Sequence, residues 1–385
     1  MPDARDYIFV AGVTVAVALA VLGGALFVLR RNKWQIEFII GCGAALIVAA
    51  ELCYWLLCYK AWPPAMGHAV ALAGWVCAGA LGVWLMVRAL GEVFSIRGHQ
   101  PVQAARRQLL SNGIAAVAGV VVGRTIAAYD PADVTIEQHE CVLPQLPHSA
   151  DGMRIALIGD LHAGPFLEPK HLAYYIECVR RQSPDLCVIV GDFITASASD
   201  FRDYCRPMRE LTAPLGVYAV LGNHDYFNGA APILGRMLSN CGVVLLEDQA
   251  IRLDGIELFG ISDHRRQAAV LAAEGAERSP LMEQLGHSAC PIVLVHRPFV
   301  FDALATINPR SLVLAGHTHG GQLALELGSN QHLTLTQLFS PYVRGWYHRG
   351  SAHLYVTRGL GTIGVPLRIG SPPEITTIVL RSHAA

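Results

Sequence analysis

The sequence predicts an α/β layered domain preceded by a helical membrane region. Three observations predict it. Long uncharged runs are confined to residues 1–128. From about residue 152, short β-branched runs alternate with helical stretches, the pattern of layered α/β domains. Acidic, amide and histidine residues recur just past the ends of those apolar runs. The chain has 385 residues, room for two domains at about 150 residues each. Charged residues make up 15% and the mean hydropathy is +0.39; soluble domains usually carry roughly 25% charged residues. These values exclude a disordered chain, a collagen-like repeat and a plain soluble enzyme. The net charge of −1 hides two unlike parts. Residues 1–128 carry ten Lys/Arg and five Asp/Glu, whereas residues 129–385 carry nineteen and twenty-five.

Residues 8–29 are twenty-two residues without a charge, and about 20 apolar residues cross a bilayer core. A signal peptide fits less well, because Arg30, Arg31 and Lys33 follow the run instead of preceding it. Residues 38–59 form a second span, interrupted only by Glu51, and 69–87 a third. The fourth, 109–128, is the weakest, with fifteen uncharged residues up to Gly123 and then Arg124. Basic residues cluster at 30–33 and 88–107, which places those loops in the cytoplasm. An even number of spans then puts the following domain outside the cytoplasmic membrane. Arg106-Arg107 before a mildly apolar run is similar to a twin-arginine export signal. Residues 129–151, with three prolines, read as a linker, and 152–385 as the globular domain.

In that domain strands are expected at 154–158, 186–190, 216–221, 243–246, 256–261, 291–295, 312–315, 354–357 and 375–380. Helices are expected at 168–182, 232–240 and 299–306. Polar residues follow the apolar runs in order: Asp160 and His162, then Asp192, then Asn223, His224 and Asp225, then His296, then His317 and His319. Ligands collect at the carboxyl ends of strands in open α/β sheets. Singly, each element fits a turn or a surface loop. Together they form a density of polar groups that burial would penalise without a metal or strong mutual pairing. Mixed imidazole and carboxylate donors suit Mn, Fe or Zn better than Ca or Mg. Asp263, His264, Arg297 and Arg358 are weaker candidates for the same pocket. The six cysteines beyond residue 128 fall mostly in apolar runs and read as buried free thiols.

The ordered set Asp-x-His, Gly-Asp, Gly-Asn-His-Asp, His and Gly-His-x-His resembles the calcineurin-like metallophosphoesterase superfamily. Gly316-His317-Thr318-His319-Gly320-Gly321-Gln322 and the tail 354–361 are similar to its bacterial YkuE-like branch. The resemblance covers about residues 135–385. Residues 323–347 do not align with it. It implies a four-layer αββα sandwich with two divalent metals at one end of the sheets. One metal would take Asp160, His162, Asp192 and His319. The other would take Asp192, Asn223, His296 and His317, with Asp192 bridging. His224 would protonate the leaving oxygen, and Asp225 would orient His224.

The expected activity is hydrolysis of a phosphodiester or pyrophosphate bond by a membrane-anchored enzyme. Tethering makes membrane lipids partners and a lipid-linked phosphate a fitting substrate. Residues 129–385, with a net charge of −6, lack the basic footprint of a nucleic-acid binder. The alternative is a non-catalytic membrane scaffold or sensor that binds metal or nucleotide; the complete donor set argues against it.

Overall fold

The computed structural model describes residues 132–164, 166–263, 279–326, 332–364 and 368–382. The four expected spans and His264 lie outside them. Among the described residues, no helix is long and apolar enough to cross a membrane.

The strands are β1 (Thr135–Leu143), β2 (Arg154–Ile158), β3 (Leu186–Val190), β4 (Val217–Val220), β5 (Val243–Leu245), β6 (Gln249–Leu253) and β7 (Ile256–Gly260). They continue with β8 (Pro291–Leu294), β9 (Leu312–Ala315), β10 (Ala324–Glu326), β11 (His332–Thr334), β12 (Gly345–Arg349), β13 (Ala352–Val356) and β14 (Glu374–Ser382). The helices are α1 (Pro169–Arg181), the single turn α2 (Cys205–Met208), α3 (Ala231–Ser239), α4 (Pro280–His287) and α5 (Phe301–Ile307). One six-stranded sheet has the order β1-β14-β2-β3-β4-β5 and the other β12-β13-β9-β8-β7-β6, with β10-β11 a separate pair.

Strand alternation builds the layers. Ile155 and Leu157 of β2 join Val188, Leu258, Ile292 and Leu314 in a core between the sheets. Ala156 and Ile158 point the other way, against Leu172, Tyr175, Ile176 and Val179 of α1 and Leu234 and Leu238 of α3. Those α1 residues recur at i, i+3, i+4 and i+7, one face of a helix. The second sheet does the same: Phe259, Val293 and Val313 pack against Leu285 of α4 and Phe301 and Leu304 of α5. The result is helix, sheet, sheet, helix, the expected layering.

The expected linker proves to be part of the sheet. Its residues 135–143 form β1, paired in parallel with β14 from Thr135↔Glu374 to Leu143↔Ser382. The sequence conceals this strand because its alternation is inverted at the start. Ile136 and Val142 are exposed, while Glu137 and His139 face inward. Glu137 is ion-paired with Arg358 at 2.6 Å, and His139 lies 3.3 Å from the Tyr355 hydroxyl. Hydrogen bonds and charge pairing occupy the place of apolar packing.

Candidate metal centre

Strands β2, β3 and β4 run parallel, and so do β7, β8, β9 and β13. Their carboxyl ends therefore lie along one edge of each sheet, and every expected site residue follows one of them. Asp160, His162, Asp192, His317 and His319 all have positive φ, between 47° and 74°. Non-glycine residues seldom adopt that region, and held there they cost on the order of 1–3 kcal/mol each. Sharp left-handed turns at the strand ends aim the side chains inward. Gly191 and Gly222 allow two of these turns to touch: a Cβ on Gly222 would come within 2.3 Å of Asp192 Oδ1, and one on Gly191 within 2.5 Å of Gly222 N.

The side chains fall into overlapping clusters whose donor atoms lie within 4.8 Å of one another: Asp160, His162 and His319; His162, Asp192 and His224; and Asp192, His296 and His317. His162 Nε2 and His319 Nε2 are 3.0 Å apart. His317 Nδ1 is 3.1 Å from His296 Nε2, which is 3.1 Å from Asn223 Oδ1. Asp192 Oδ2 stands between the two halves, 3.5 Å from His162 Nε2 and 3.3 Å from His296 Nε2. All seven expected ligands are thus brought together.

Electrostatics agree with the geometry. Burial holds His162 down at about 3 and His317 and His319 well below the ordinary imidazole range, so these rings are neutral and their nitrogens can act as ligands. Burial opposes charge on Asp192, yet His296, His224 and His162 hold its carboxyl well below the usual carboxylate range. Burial, with the Asp192 charge adding to it, pushes Asp160 up to about 7. His296 resists its own burial and is driven up to about 10 by Asp192. Asp192 therefore holds a proton on the His296 ring 3.3 Å away. Neutral His162, His317 and His319 converge with the ionised Asp192 and with Asp160, His296 and Asn223, a donor set that fits two divalent metal ions.

The backbone holds the rings by bonds that sequence spacing does not foretell. His296 Nδ1 lies 2.8 Å from the Val190 carbonyl, and His224 Nδ1 lies 2.7 Å from the Thr195 carbonyl. A carbonyl only accepts, so each ring carries its proton on Nδ1. The His224 backbone N–H donates to Asp192 Oδ1 at 2.9 Å. Arg368, buried, donates to the carbonyls of His319 and Ser371 at 3.2 and 3.1 Å and braces the last histidine turn. Nothing in its spacing marks it.

Asp225 is not the orienter of His224. Its buried carboxylate accepts the backbone N–H groups of Phe193 (2.8 Å), Ile194 (3.1 Å) and Gly222 (2.9 Å), tying the loop after β3 to the loop after β4. The backbone turn that aims His224 at the cleft sends Asp225 in the opposite direction. Arg297 pairs with Asp263 at 3.0 Å on the wall beside His296. Arg358 pairs with Glu137 and with Glu374, the latter at 2.8 Å. All six described cysteines are free, and five of them are buried.

Residues 153–321 match the family described as calcineurin-like phosphoesterase. The chain belongs to the calcineurin-like metallophosphoesterases, hydrolases of phosphoric esters. Within them it is similar to the metallophosphoesterase YkuE of Bacillus subtilis, at 30% identity over 72% of this chain and 98% of that protein. It is also similar to proteins described as transmembrane protein with metallophosphoesterase domain. The one from Bos taurus is 29% identical over 81% of this chain and 69% of its own length. The one from Danio rerio is 33% identical over 72% of this chain and 63% of its own length. The chain thus matches about two thirds of the length of these vertebrate relatives.

Proposed function

We propose that the chain is a membrane-tethered, dinuclear metal-dependent phosphoesterase that cleaves a phosphodiester or pyrophosphate bond, with a lipid-linked phosphate as the substrate class. The supporting observation is Asp192 Oδ2, placed within 3.5 Å of a histidine nitrogen in each of two donor clusters. One carboxylate serving two neighbouring sites is the arrangement a bridged metal pair requires. Asp160, His162, Asp192 and His319 would hold one ion, and Asp192, Asn223, His296 and His317 the other, the ions being Mn, Fe or Zn. When bound, such a pair supplies Lewis acidity toward phosphoryl oxygen and lowers the pKa of water.

The protein's own groups do the rest. Asn223 contributes a neutral oxygen, which limits the negative charge facing an anionic substrate. His224, fixed through Nδ1 by Thr195, presents Nε2 to the cleft, and in its cationic form that atom delivers a proton to the leaving oxygen. The uncharged runs before residue 129 support tethering, and the basic clusters at 30–33 and 88–107 support a domain on the extracytoplasmic side.

The test is metal analysis together with hydrolysis of an aryl phosphodiester by the full-length chain in detergent. Wild type should carry two metals and turn over. Asp192→Asn should lose both metals and the activity together. A variant keeping two metals and near-normal turnover would reject the bridge, and metal without turnover in the wild type would favour a binding role.

A further inference from the structure

Of the large apolar side chains on the described surface, the four most exposed all lie in one stretch just after the last histidine pair: Leu338 (75% exposed), Leu335 (68%), Phe339 (68%) and Leu333 (55%). Leu323, 46% exposed, precedes them. We propose that Leu323, Leu333, Leu335, Leu338 and Phe339 form a membrane-docking surface that seats the mouth of the metal centre on a lipid bilayer. The inference rests on the membrane-tethered reading above.

The residues form a face by geometry. Leu333 and Leu335 flank Thr334, and alternation sends them away from it. Thr334 is buried, and its hydroxyl donates to the Gly321 carbonyl at 3.1 Å. Leu335 and Leu338 lie three apart on a 3-10 turn running Leu335–Leu338, where i and i+3 eclipse. Thr334 caps that turn by accepting the Thr336 N–H at 3.4 Å, and its own N–H reaches Gln337. At the other end, Leu323 sits between buried Gln322 and Ala324, and Ala324 donates to the Ile369 carbonyl at 2.8 Å. The apolar face is therefore held from behind by polar bonds, and its anchor, Gly321, is two residues from His319.

Isolated exposed leucines need no explanation, but a cluster of them marks an interaction site. The occupant follows from the rest of the chain. Residues 1–128 contain uncharged runs of bilayer-spanning length, so a lipid surface is present at high effective concentration whatever else the domain meets. Between Gln322 and Tyr342 the sequence carries one charge, Glu326, so little charge has to be desolvated on seating in the interface. Leu and Phe side chains are suited to the boundary between headgroups and acyl chains. A domain so seated would receive a phosphate at headgroup depth without extracting its lipid anchor.

The test places a fluorescent amino acid at Leu338 of the full-length chain in phospholipid nanodiscs, with nitroxide-labelled phosphatidylcholine as quencher. Matching probes go to Ile233 on α3, which is also exposed, and to Ala73 in the run 69–87. Metal content reports folding of each variant, and a probe at Leu335 substitutes if Leu338 does not tolerate one. Docking predicts blue-shifted, nitroxide-quenched emission at Leu338 and Ala73 and solvent-like, unquenched emission at Ile233. Solvent-like emission at Leu338 with quenching at Ala73 would overturn the docking inference while leaving the tether intact. A blue shift at Leu338 without nitroxide quenching would also overturn it and assign the face to protein, either this chain's own residues or a second copy. No quenching at Ala73 would overturn the tethered reading, and docking with it. Turnover enters none of these readouts, so the hydrolytic assignment stands or falls separately.

Discussion

His224 Nδ1 lies 2.7 Å from the carbonyl oxygen of Thr195, and that contact fixes which ring nitrogen faces the cleft. The bond comes from backbone three residues past Asp192, so one loop both carries the proposed bridging carboxylate and orients the proposed proton donor. His224→Ala should leave metal content nearly intact and slow cleavage about 10²–10⁴-fold, the usual contribution of a general acid. The loss should shrink with a nitrophenolate leaving group, which needs little protonation. Equal losses for good and poor leaving groups would reassign His224 to phosphate binding.

Asp225 is a structural residue on this geometry. Asp225→Ala strands three backbone donors, and each buried donor without a partner costs about 1–3 kcal/mol. The variant should lose many degrees of Tm, or fail to fold. Asp225→Asn keeps an acceptor for Phe193 and Ile194 but turns an N–H toward that of Gly222, so it should fold with lower Tm. Its leaving-group dependence should match wild type. A changed dependence with unaltered Tm would restore the orienting role.

Glu137 links the concealed strand β1 to the site end of β13. The hydrogen bond from His139 and the Arg358 guanidinium hold its carboxyl down at about 2 against the opposing effect of burial. A depressed carboxylate stabilises the fold above its unfolded value of 4.5, and the stabilisation fades as the pH falls from there toward about 2. With partial exposure the contribution is on the order of 2 kcal/mol. Glu137→Gln should therefore be less stable than wild type at pH 7, and the gap should narrow toward pH 3 in denaturant titrations. A gap independent of pH would show that packing, not charge, is what Glu137 provides.

The domain's side of the membrane has a direct test. Because β1 begins at Thr135, a reporter joined after Asp130 follows the whole membrane region and precedes the fold. Alkaline phosphatase at that point should be active and a cytoplasm-maturing fluorescent protein dark. The reverse result would remove the span at 109–128 and put the catalytic face among cytosolic nucleotides and lipid precursors.

The sequence by itself determined the central strands, the layered α/β class and the placing of the centre's polar residues at strand ends, while the αββα layering was what the family resemblance implied. The strands and the polar positions are local properties: β2 from Ile155, β3 and β9 are continuous apolar runs buried on both sides, and each turn after them carries its polar residues within four residues. It also determined that the first third of the chain is apolar enough for a bilayer. Only the tertiary structure decided what depends on distant partners. Strand β1 needs β14, 239 residues later in register, to satisfy its backbone, and its inward Glu137 needs Arg358. Asp225 and His224 are neighbours in sequence, yet the fold gives one to three backbone amides and the other to Thr195. Leu333 to Phe339 look like any other apolar run on paper. Their outward orientation follows from Thr334, whose bond to Gly321 exists only once the chain has folded back on the histidine loop.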